Sequence, residues 1–254
     1  MDKIILTITS CKRYELLVRT ISSLVKHCQD FNLISEILIY DDSSDENDRV
    51  KIFLDVKKFF KGKKISFKFF EKDSFNSNRR HMEIMKIWKE DINNFDYVFH
   101  LEDDWEFIED FKLEDAVQIL KENEEFAMAG FSWEEKKFPK DIFTPRVFGN
   151  FWEWYYSDKH ELLEPLFLDE VEMKYLPEGH WVKYINWPYF GFRPAIHDIK
   201  KINTLGTFND NMDSFELEFA IRYAKQYKSI LHKRRICYHI GDELSSYTIN
   251  NSNR

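Results

Sequence analysis

Segments with the pattern of buried strands alternate with helix-like segments through the first hundred residues, and this alternation constrains the fold more than any other feature. Ile4–Thr9 and Ile37–Tyr40 are continuous apolar and β-branched runs, as in strands buried on both faces, and Ile65–Phe70 is a third strand-like run. The helix-like segments that follow them carry apolar stripes at Leu17, Ile21, Leu24 and Cys28, at Val50, Phe53 and Leu54, and at Ile84, Met85 and Trp88. The alternation predicts an α/β fold with a mostly parallel central sheet flanked by helices.

The second half of the chain is less regular and predicts an elaboration of the same sheet. Its patterned segments are a helix over Leu113–Leu120, a strand over Phe126–Trp133, a helix over Asp213–Lys225 and a strand over Ile230–Ile240. No internal repeat or linker interrupts the 254 residues, so we expect a single domain over residues 1–254.

Charge and cysteine content limit the class of protein. The formal net charge of -8 and the lack of an Arg- and Lys-rich arm give no electrostatic footprint for nucleic acid. Three widely separated cysteines without metal-ligand spacing predict reduced core thiols and a cytoplasmic protein. The first apolar run is too short for a signal peptide or a membrane span. Five lysines between residues 57 and 64 keep peripheral attachment to a membrane surface open, with a solvated helix end as the alternative.

Three consecutive carboxylates, Glu102-Asp103-Asp104, follow the fourth strand-like run. Alternation along a strand predicts that Glu102 and Asp104 point to one face and Asp103 to the other. Like charges this close are usually kept for a bound cation or a shared proton, and oxygen ligands favour magnesium, manganese or calcium. The run therefore predicts a cation site, with a solvated acidic turn as the alternative.

Polar residues also follow the other predicted strands, where the ligands of parallel sheets collect. Thr9 and Arg13 follow the first strand, Asp41 and Asp42 the second, and residues 76–80 the third. The chain has neither a glycine fingerprint at the first turn nor a Gly-Lys-Ser/Thr loop, which argues against nicotinamide dehydrogenases and P-loop enzymes. A metal ion would then have to hold any phosphate.

With these motifs the chain resembles the metal-dependent, nucleotide-sugar glycosyltransferases of the GT-A type, most like the inverting family 2. Glu102-Asp103-Asp104 is similar to the Asp-x-Asp motif of that family, with Glu in the first place. The resemblance implies a Rossmann-like GT-A fold and Mn2+ or Mg2+ as the cofactor. It further implies inverting transfer of a sugar from a nucleotide-diphosphate donor to an acceptor hydroxyl. Residues 1–105 would bind the nucleotide sugar, and residues 106–254 would form the acceptor-side half.

The resemblance also assigns roles on the donor side. Asp104 would ligate the metal, Glu102 would support the metal or the ribose, and His239, in a His-Ile-Gly segment similar to one in several GT-A enzymes, would complete the metal shell. A purely structural role is the alternative for His239. The implied nucleotide-sugar contacts are Thr9, Arg13, Asp41, Asp42, Asn76, Arg80, Glu102 and Asp103. Helix capping is the alternative for Asp41 and Asp42.

On the acceptor side, Phe215-Glu216-Leu217-Glu218 with Arg222 resembles the family motif that carries the catalytic base. Glu216 aligns with that base and Asp213 is its rival, although acids at this place also suit a helix start. The acceptor-binding candidates, for which core packing is the alternative, are Trp152, Trp154, Trp187 and Gly191.

Two other classes of protein stay open. A sugar-nucleotide nucleotidyltransferase is also α/β with acids and magnesium, but the glycine-rich basic loop is missing. A non-catalytic carbohydrate-binding domain would explain the aromatic residues and leave the acidic run unexplained. The transferase interpretation requires that Asp104 be open to a cation, near a cleft shared with Glu216, rather than buried against an arginine.

Overall fold

Parallel strands and helices alternate through the first half of the chain, as predicted. The computed structural model describes residues 2–42, 44–70, 77–131, 146–153, 190–208 and 215–241. The strands are β1 (Ile4–Ser10), β2 (Ile34–Asp42), β3 (Lys64–Phe70) and β4 (Tyr97–Glu102), and the helices are α1 (Tyr14–His27), α2 (Glu46–Phe59) and α3 (Ser77–Glu90). These strands are parallel and lie in the order β3-β2-β1-β4, so the end of β1 lies between the ends of β2 and β4.

The second half extends the same sheet. Its elements are β5 (Trp105–Phe107), α4 (Leu113–Glu122), β6 (Phe126–Gly130), β7 (Val147–Phe148), β8 (Phe151–Glu153), β9 (Ala195–Asp198), α5 (Ile199–Thr204), α6 (Phe215–Ala224), β10 (Lys228–His232) and β11 (Cys237–His239). Within the described ranges the main sheet has nine strands in the order β3-β2-β1-β4-β9-β6-β10-β8-β7. Only β8 and β9 run against the others, so the predicted mostly parallel sheet is confirmed.

Apolar side chains of the central strands alternate between two cores, one on each face of the sheet. Leu6 and Ile8 of β1 face the core that α1, α2 and α4 cover, whereas Ile5 faces the core under α3, α5 and α6. Full burial of each such side chain contributes about 1.5–3 kcal/mol to folding. The two layers of helices therefore bury the central strands on both faces of the sheet.

The buried face of α2 differs from the predicted one. Val50 and Leu54 are both 52% exposed and Phe53 is 39% exposed, whereas Ile52 and Val56 are buried. The predicted stripe was wrong because α2 has apolar residues on two faces, and spacing alone does not tell which face meets the sheet.

The predicted final strand over Ile230–Ile240 is two strands in two sheets. The charged residues Arg234 and Arg235 lie exposed between β10, in the main sheet, and β11. β11 pairs with β5 in a separate two-stranded sheet, which sets His239 opposite Trp105. Because of this break, β11 and the residues after it lie beside the acidic run at the end of β4.

Three further features bear on the sequence predictions. Cys11, Cys28 and Cys237 are buried and free, as expected of core thiols. In the lysine cluster at the end of α2, Lys58 lies in the last turn of the helix and pairs with Asp55 at 2.6 Å. None of the helices in the described ranges has the length and hydropathy needed to cross a bilayer.

His197 of β9 is a buried histidine whose ring is surrounded by apolar groups. Within the described part of the chain neither ring nitrogen has a hydrogen-bond partner, and the rings of Trp88 and Phe190 lie 5.2 and 5.6 Å away, centroid to centroid. Burial lowers the pKa of His197 from 6.5 to about 3. Because the pKa is lower in the folded state, the folded state is at its most stable above pH 6.5 and loses stability as the pH falls towards 3.

Between pH 7 and pH 5 the unfolded chain takes up a proton at His197 that the folded protein does not. We therefore expect this residue to lower the free energy of unfolding by about 2 kcal/mol over that pH range. His197→Leu should remove that part of the loss, because leucine has no proton to bind. Urea unfolding at the two pH values measures the difference. His27→Gln is the control, since His27 pairs with the exposed Asp110 at 2.9 Å. Equal losses in the wild type and His197→Leu would contradict the assignment.

Candidate active site

The acidic run ends β4 and forms a turn into β5, and helix α1 holds the backbone of this turn. The Thr20 hydroxyl donates to the carbonyl oxygen of Asp103 at 2.7 Å and accepts from the amide of Trp105 at 3.2 Å. One helical turn later, the Ser23 hydroxyl oxygen accepts from the amide of Phe107 at 3.0 Å. The position of the acids is thus fixed by buried hydrogen bonds to α1.

Arg13, in the loop before α1, binds both aspartates of the turn. Its Nη1 donates to Asp104 Oδ2 at 2.7 Å and its Nη2 donates to Asp103 Oδ1. The side chains are 8% exposed for Arg13, 7% for Asp104 and 0% for Asp103. The predicted alternation was wrong, because the strand ends at Glu102 and the two aspartates turn to one guanidinium. Asp104 is therefore buried against an arginine, the arrangement that the sequence interpretation required to be absent.

The second oxygen of Asp103 is also bound within the protein. Asp103 Oδ2 accepts from the amide of Cys11 at 3.1 Å. Burial raises the pKa of Asp103 to about 6, although the charge of Arg13 works in the opposite direction. Asp103 thus fixes the loop after β1 and the position of Arg13.

The segment after β11 packs directly on Asp104. His239 Nε2 lies 3.1 Å from Asp104 Oδ2, and the amide of Ile240 donates to the carbonyl oxygen of Asp104 at 2.8 Å. A Cβ atom on Gly241 would lie 2.6 Å from the same Oδ2, so a glycine is needed for this approach. The other oxygen, Asp104 Oδ1, is buried and has no hydrogen-bond partner in the described ranges.

Glu102 faces two further carboxylates. Burial, and then the charges of Asp104 and Glu216, raise the pKa of Glu102 to about 8, while a hydrogen bond from the indole of Trp105 at 3.3 Å opposes the shift. The charges of Asp104 and Glu216 therefore both reach Glu102, although burial is the larger cause of its raised pKa.

Glu216, in the first turn of α6, is held by the chain that precedes β9. The amide of Phe192 donates to its carboxylate, and a Cβ atom on Gly191 would lie 3.9 Å from Oε1. Burial raises the pKa of Glu216 to about 7, against the lowering effects of the Arg193 charge and the Phe192 amide. A carboxylate with a pKa near neutrality is suited to accept a proton.

Glu218 has a different environment from Glu216. Nε and Nη2 of Arg222 donate to its two oxygens at 2.6 and 2.8 Å, and Nη2 also donates to the carbonyl oxygen of Thr207 at 2.8 Å. This bidentate pair ties α6 to the chain after α5. Glu218 is therefore committed to a structural ion pair.

The two acids at the end of β2 differ in their surroundings. Asp41 is buried and accepts from the amide and the hydroxyl of Ser44 at 3.2 and 2.6 Å. Burial raises the pKa of Asp41. Asp42 lies near the loop after β1, where burial and then its charge raise the pKa of Cys11 to about 12. Neither Asp41 nor Asp42 caps helix α2, which was the alternative role predicted for them. The cap is Asp45, whose side chain accepts a hydrogen bond from the backbone amide of Asp48.

The remaining predicted residues divide by location. Thr9 lies beside Glu102 in the register of β1 and β4, and its hydroxyl donates to the carbonyl oxygen of Leu101 at 3.4 Å. Arg80 and Trp152 belong to α3 and β8, but their side chains are outside the described part of the structure. Asn76, Trp154, Trp187 and Asp213 lie outside the described residues altogether.

Sequence reasoning missed Thr20, Arg193 and the amide of Phe192. Arg193 is the one charged residue in the apolar segment 185–194, and this isolation could have marked it as a candidate. Nothing in the sequence singles out Thr20 or a backbone amide, because their roles depend on how distant segments pack.

The chemistry of the residues at Asp104 fits a divalent cation. Among the described residues no three His, Cys, Asp or Glu side chains already converge as a metal centre. Asp104 Oδ1 is nevertheless buried without a partner, and the His239 imidazole and the Glu102 carboxyl group lie near Asp104. Two or three protein ligands with diphosphate oxygens are a common shell for magnesium or manganese. The other oxygen of Asp104, Oδ2, accepts a hydrogen bond from Arg13.

Comparison by sequence gives no match to any protein-family model or to any curated protein. Comparison by structure gives glycosyltransferases. The mannosyltransferase PcManGT from Pyrobaculum calidifontis, in complex with GDP-Man and Mn2+, is similar with a TM-score of 0.59 and 11% identity. The match covers 98% of this chain and 60% of that one.

Two further solved structures have the same architecture. A fragment of TarS from S. aureus matches with a TM-score of 0.57 and 12% identity over 98% of this chain and 63% of its own. GalNAc-T7 with UDP, GalNAc and Mn2+ matches with a TM-score of 0.56 and 10% identity over 94% of this chain and 44% of its own. The chain therefore has the GT-A fold, and it spans less than two thirds of each of these chains.

Proposed function

We propose that the chain is a glycosyltransferase that moves a sugar from a nucleotide-diphosphate donor to an acceptor hydroxyl, with inversion and with Mn2+ or Mg2+. One observation carries the proposal: the acidic turn at the end of the central strand β4 holds Asp104, whose buried Oδ1 has no partner among the described residues and whose Oδ2 lies 3.1 Å from His239, in a fold shared with nucleotide-sugar glycosyltransferases. Residues 1–105 supply the donor half and residues 106–254 the acceptor half.

On the donor side, Asp104, His239 and Glu102 would hold the cation. When bound, the cation neutralises charge that develops on the departing diphosphate, an effect worth several kcal/mol. Thr9, at the end of β1, lies beside this group of residues in the sheet. The cation would also offset the cost of holding the Glu102 carboxylate ionised near two other acids.

On the acceptor side, Glu216 acts as the base that takes the proton of the attacking hydroxyl. The Phe192 amide orients its carboxylate, and the Arg193 charge keeps its pKa from rising further. Sugar transfer passes through an oxocarbenium-like transition state, and a base on the face opposite the leaving group produces inversion. Asp213 is the rival base.

A thermal-shift screen of nucleotide sugars with and without Mn2+ tests the function. A donor at about 100 times its Kd should raise the melting temperature by about 5 °C or more with Mn2+, because it binds only the folded state. Slow hydrolysis of the stabilising donor would support a transferase. Pyrophosphate-dependent exchange would instead show a nucleotidyltransferase, and stabilisation by free sugars without either reaction a carbohydrate-binding domain.

A further inference from the structure

We infer that Arg13 and a divalent cation are alternative partners of Asp104, so that Arg13 holds this carboxylate until a cation displaces it. The inference rests on the proposed function in one respect, namely that a cation belongs at Asp104. It adds a competition between a side chain of the protein and the metal ion.

The charges at the turn are not balanced by Arg13 alone. One guanidinium lies between two aspartates whose side chains are 0% and 7% exposed. Buried carboxylates are costly unless each is paired and hydrogen-bonded. A divalent ion would balance both aspartate charges, whereas Arg13 balances one.

The hydrogen bonds of Asp104 are also incomplete. Oδ2 is bound by Arg13 and lies 3.1 Å from His239, while the buried Oδ1 has no partner among the described residues. Each unsatisfied buried polar atom calls for a physical explanation, and a carboxylate that can also bind a cation is one. The pairing with Arg13 thus uses only part of what this carboxylate can bind.

Arg13 and a divalent ion would not share Asp104 at close range. A doubly charged ion repels a nearby guanidinium twice as strongly as a singly charged ion does, and the site is poorly solvated. Arg13 binds Oδ2, whereas Oδ1 has no partner among the described residues, so the exclusion comes from charge rather than from a shared oxygen. Thr20 holds the backbone of the turn, so the guanidinium gives up Asp104 while Asp103 keeps it near the end of β1.

The backbone at Arg13 permits this movement. Arg13 precedes the first residue of α1 and is not itself helical, with φ -126° and ψ 54°, so its side chain can change rotamer without shifting the helix. Once released, the guanidinium stays at the end of β1, on the donor side. Its planar set of donors suits phosphate oxygens as well as it suits carboxylates.

Mn2+ binding in the absence of nucleotide, measured by isothermal titration calorimetry, tests the inference. Arg13→Gln should bind Mn2+ at least about tenfold more tightly than the wild type, because the variant has no paired state to disrupt. Arg19→Gln is the matched control: Arg19 also lies in this region, but it pairs with Glu106 and is 52% exposed. We expect that control to change Mn2+ affinity less than about twofold, because exposed charges are screened.

Unchanged or weaker Mn2+ binding by Arg13→Gln would overturn the competition, as would the absence of Mn2+ binding in both proteins. The variant leaves two buried aspartates without their arginine, so it could fail to fold. The wild type then provides the test through ¹⁵N spectra of its arginine side chains during a Mg2+ titration. The Arg13 guanidinium signal should shift in step with Mg2+ binding, and a signal that stays constant at saturation would overturn the inference.

The donor screen separates this inference from the proposed function. Donor binding and hydrolysis combined with unchanged Mn2+ affinity in Arg13→Gln would overturn the competition and leave the transferase in place. Tighter Mn2+ binding by the variant without binding of any nucleotide sugar would uphold the competition and overturn the transferase.

Discussion

Glu216→Gln should lower the rate of sugar transfer by at least about 100-fold while leaving the affinity for the donor unchanged. Glutamine has the shape of the carboxylate and can still accept from the Phe192 amide, so the site keeps its geometry. It cannot accept the acceptor's proton. The comparison therefore isolates proton transfer from binding, which is measured separately by calorimetry with donor and Mn2+.

The pH profile gives an independent check of the same residue. Because burial raises the pKa of Glu216 to about 7, the transfer rate of the wild type should rise with pH through about 7 as the carboxylate ionises. Glu216→Gln should lack this rise. Glu218→Gln is the matched control, since Glu218 is paired with Arg222. Full turnover by Glu216→Gln would move the base to Asp213.

Asp104→Ala should abolish transfer and the metal-dependent part of donor binding. The substitution removes the carboxylate on which Arg13, His239 and the tip of the His-Ile-Gly segment converge. Donor affinity of the variant should then be the same with Mn2+ as with a chelator, whereas chelator should weaken donor binding by the wild type. Calorimetric titration of one donor under the two conditions measures both effects.

The Asp104→Ala experiment has two controls. Asp110→Asn also removes an acid, but Asp110 is exposed and pairs with His27 at the far end of α1 from Asp104, so donor binding should not change. Melting curves of Asp104→Ala show whether the fold survives, because the variant leaves Arg13 with Asp103 as its remaining carboxylate partner. If chelator does not alter donor affinity in the wild type, the cation has no place in the donor site.

The alternating strands and helices of the first half were predictable because each is set by local spacing. The runs that form β1 to β4 are rich in apolar residues, and β1 and β3 end within one residue of their predicted limits. The face of α2 was not predictable, since Ile52 and Val56 compete with the equally apolar Phe53 and Leu54. Which face of α2 is buried depends on how the helix packs against the sheet, and local sequence does not contain that information.

In the site, the sequence pointed to the acidic run and to His239, and the structure brings them together. The pairing of Arg13 with Asp104 was not predictable, because the residues are 91 positions apart and no local pattern links them. β9 was also missed: four residues between a turn and a helix are too few to show a period. Its neighbour, the Phe192 amide, therefore escaped notice as well.

Thr20 and Ser23 of helix α1 hold the backbone of the turn after β4 in place, so this part of the chain has little freedom to change conformation. Because the turn after β4 is hydrogen-bonded to α1 at both of its flanks, substitutions in this turn would disturb the fold, and the turn is a poor target for engineering a new donor preference.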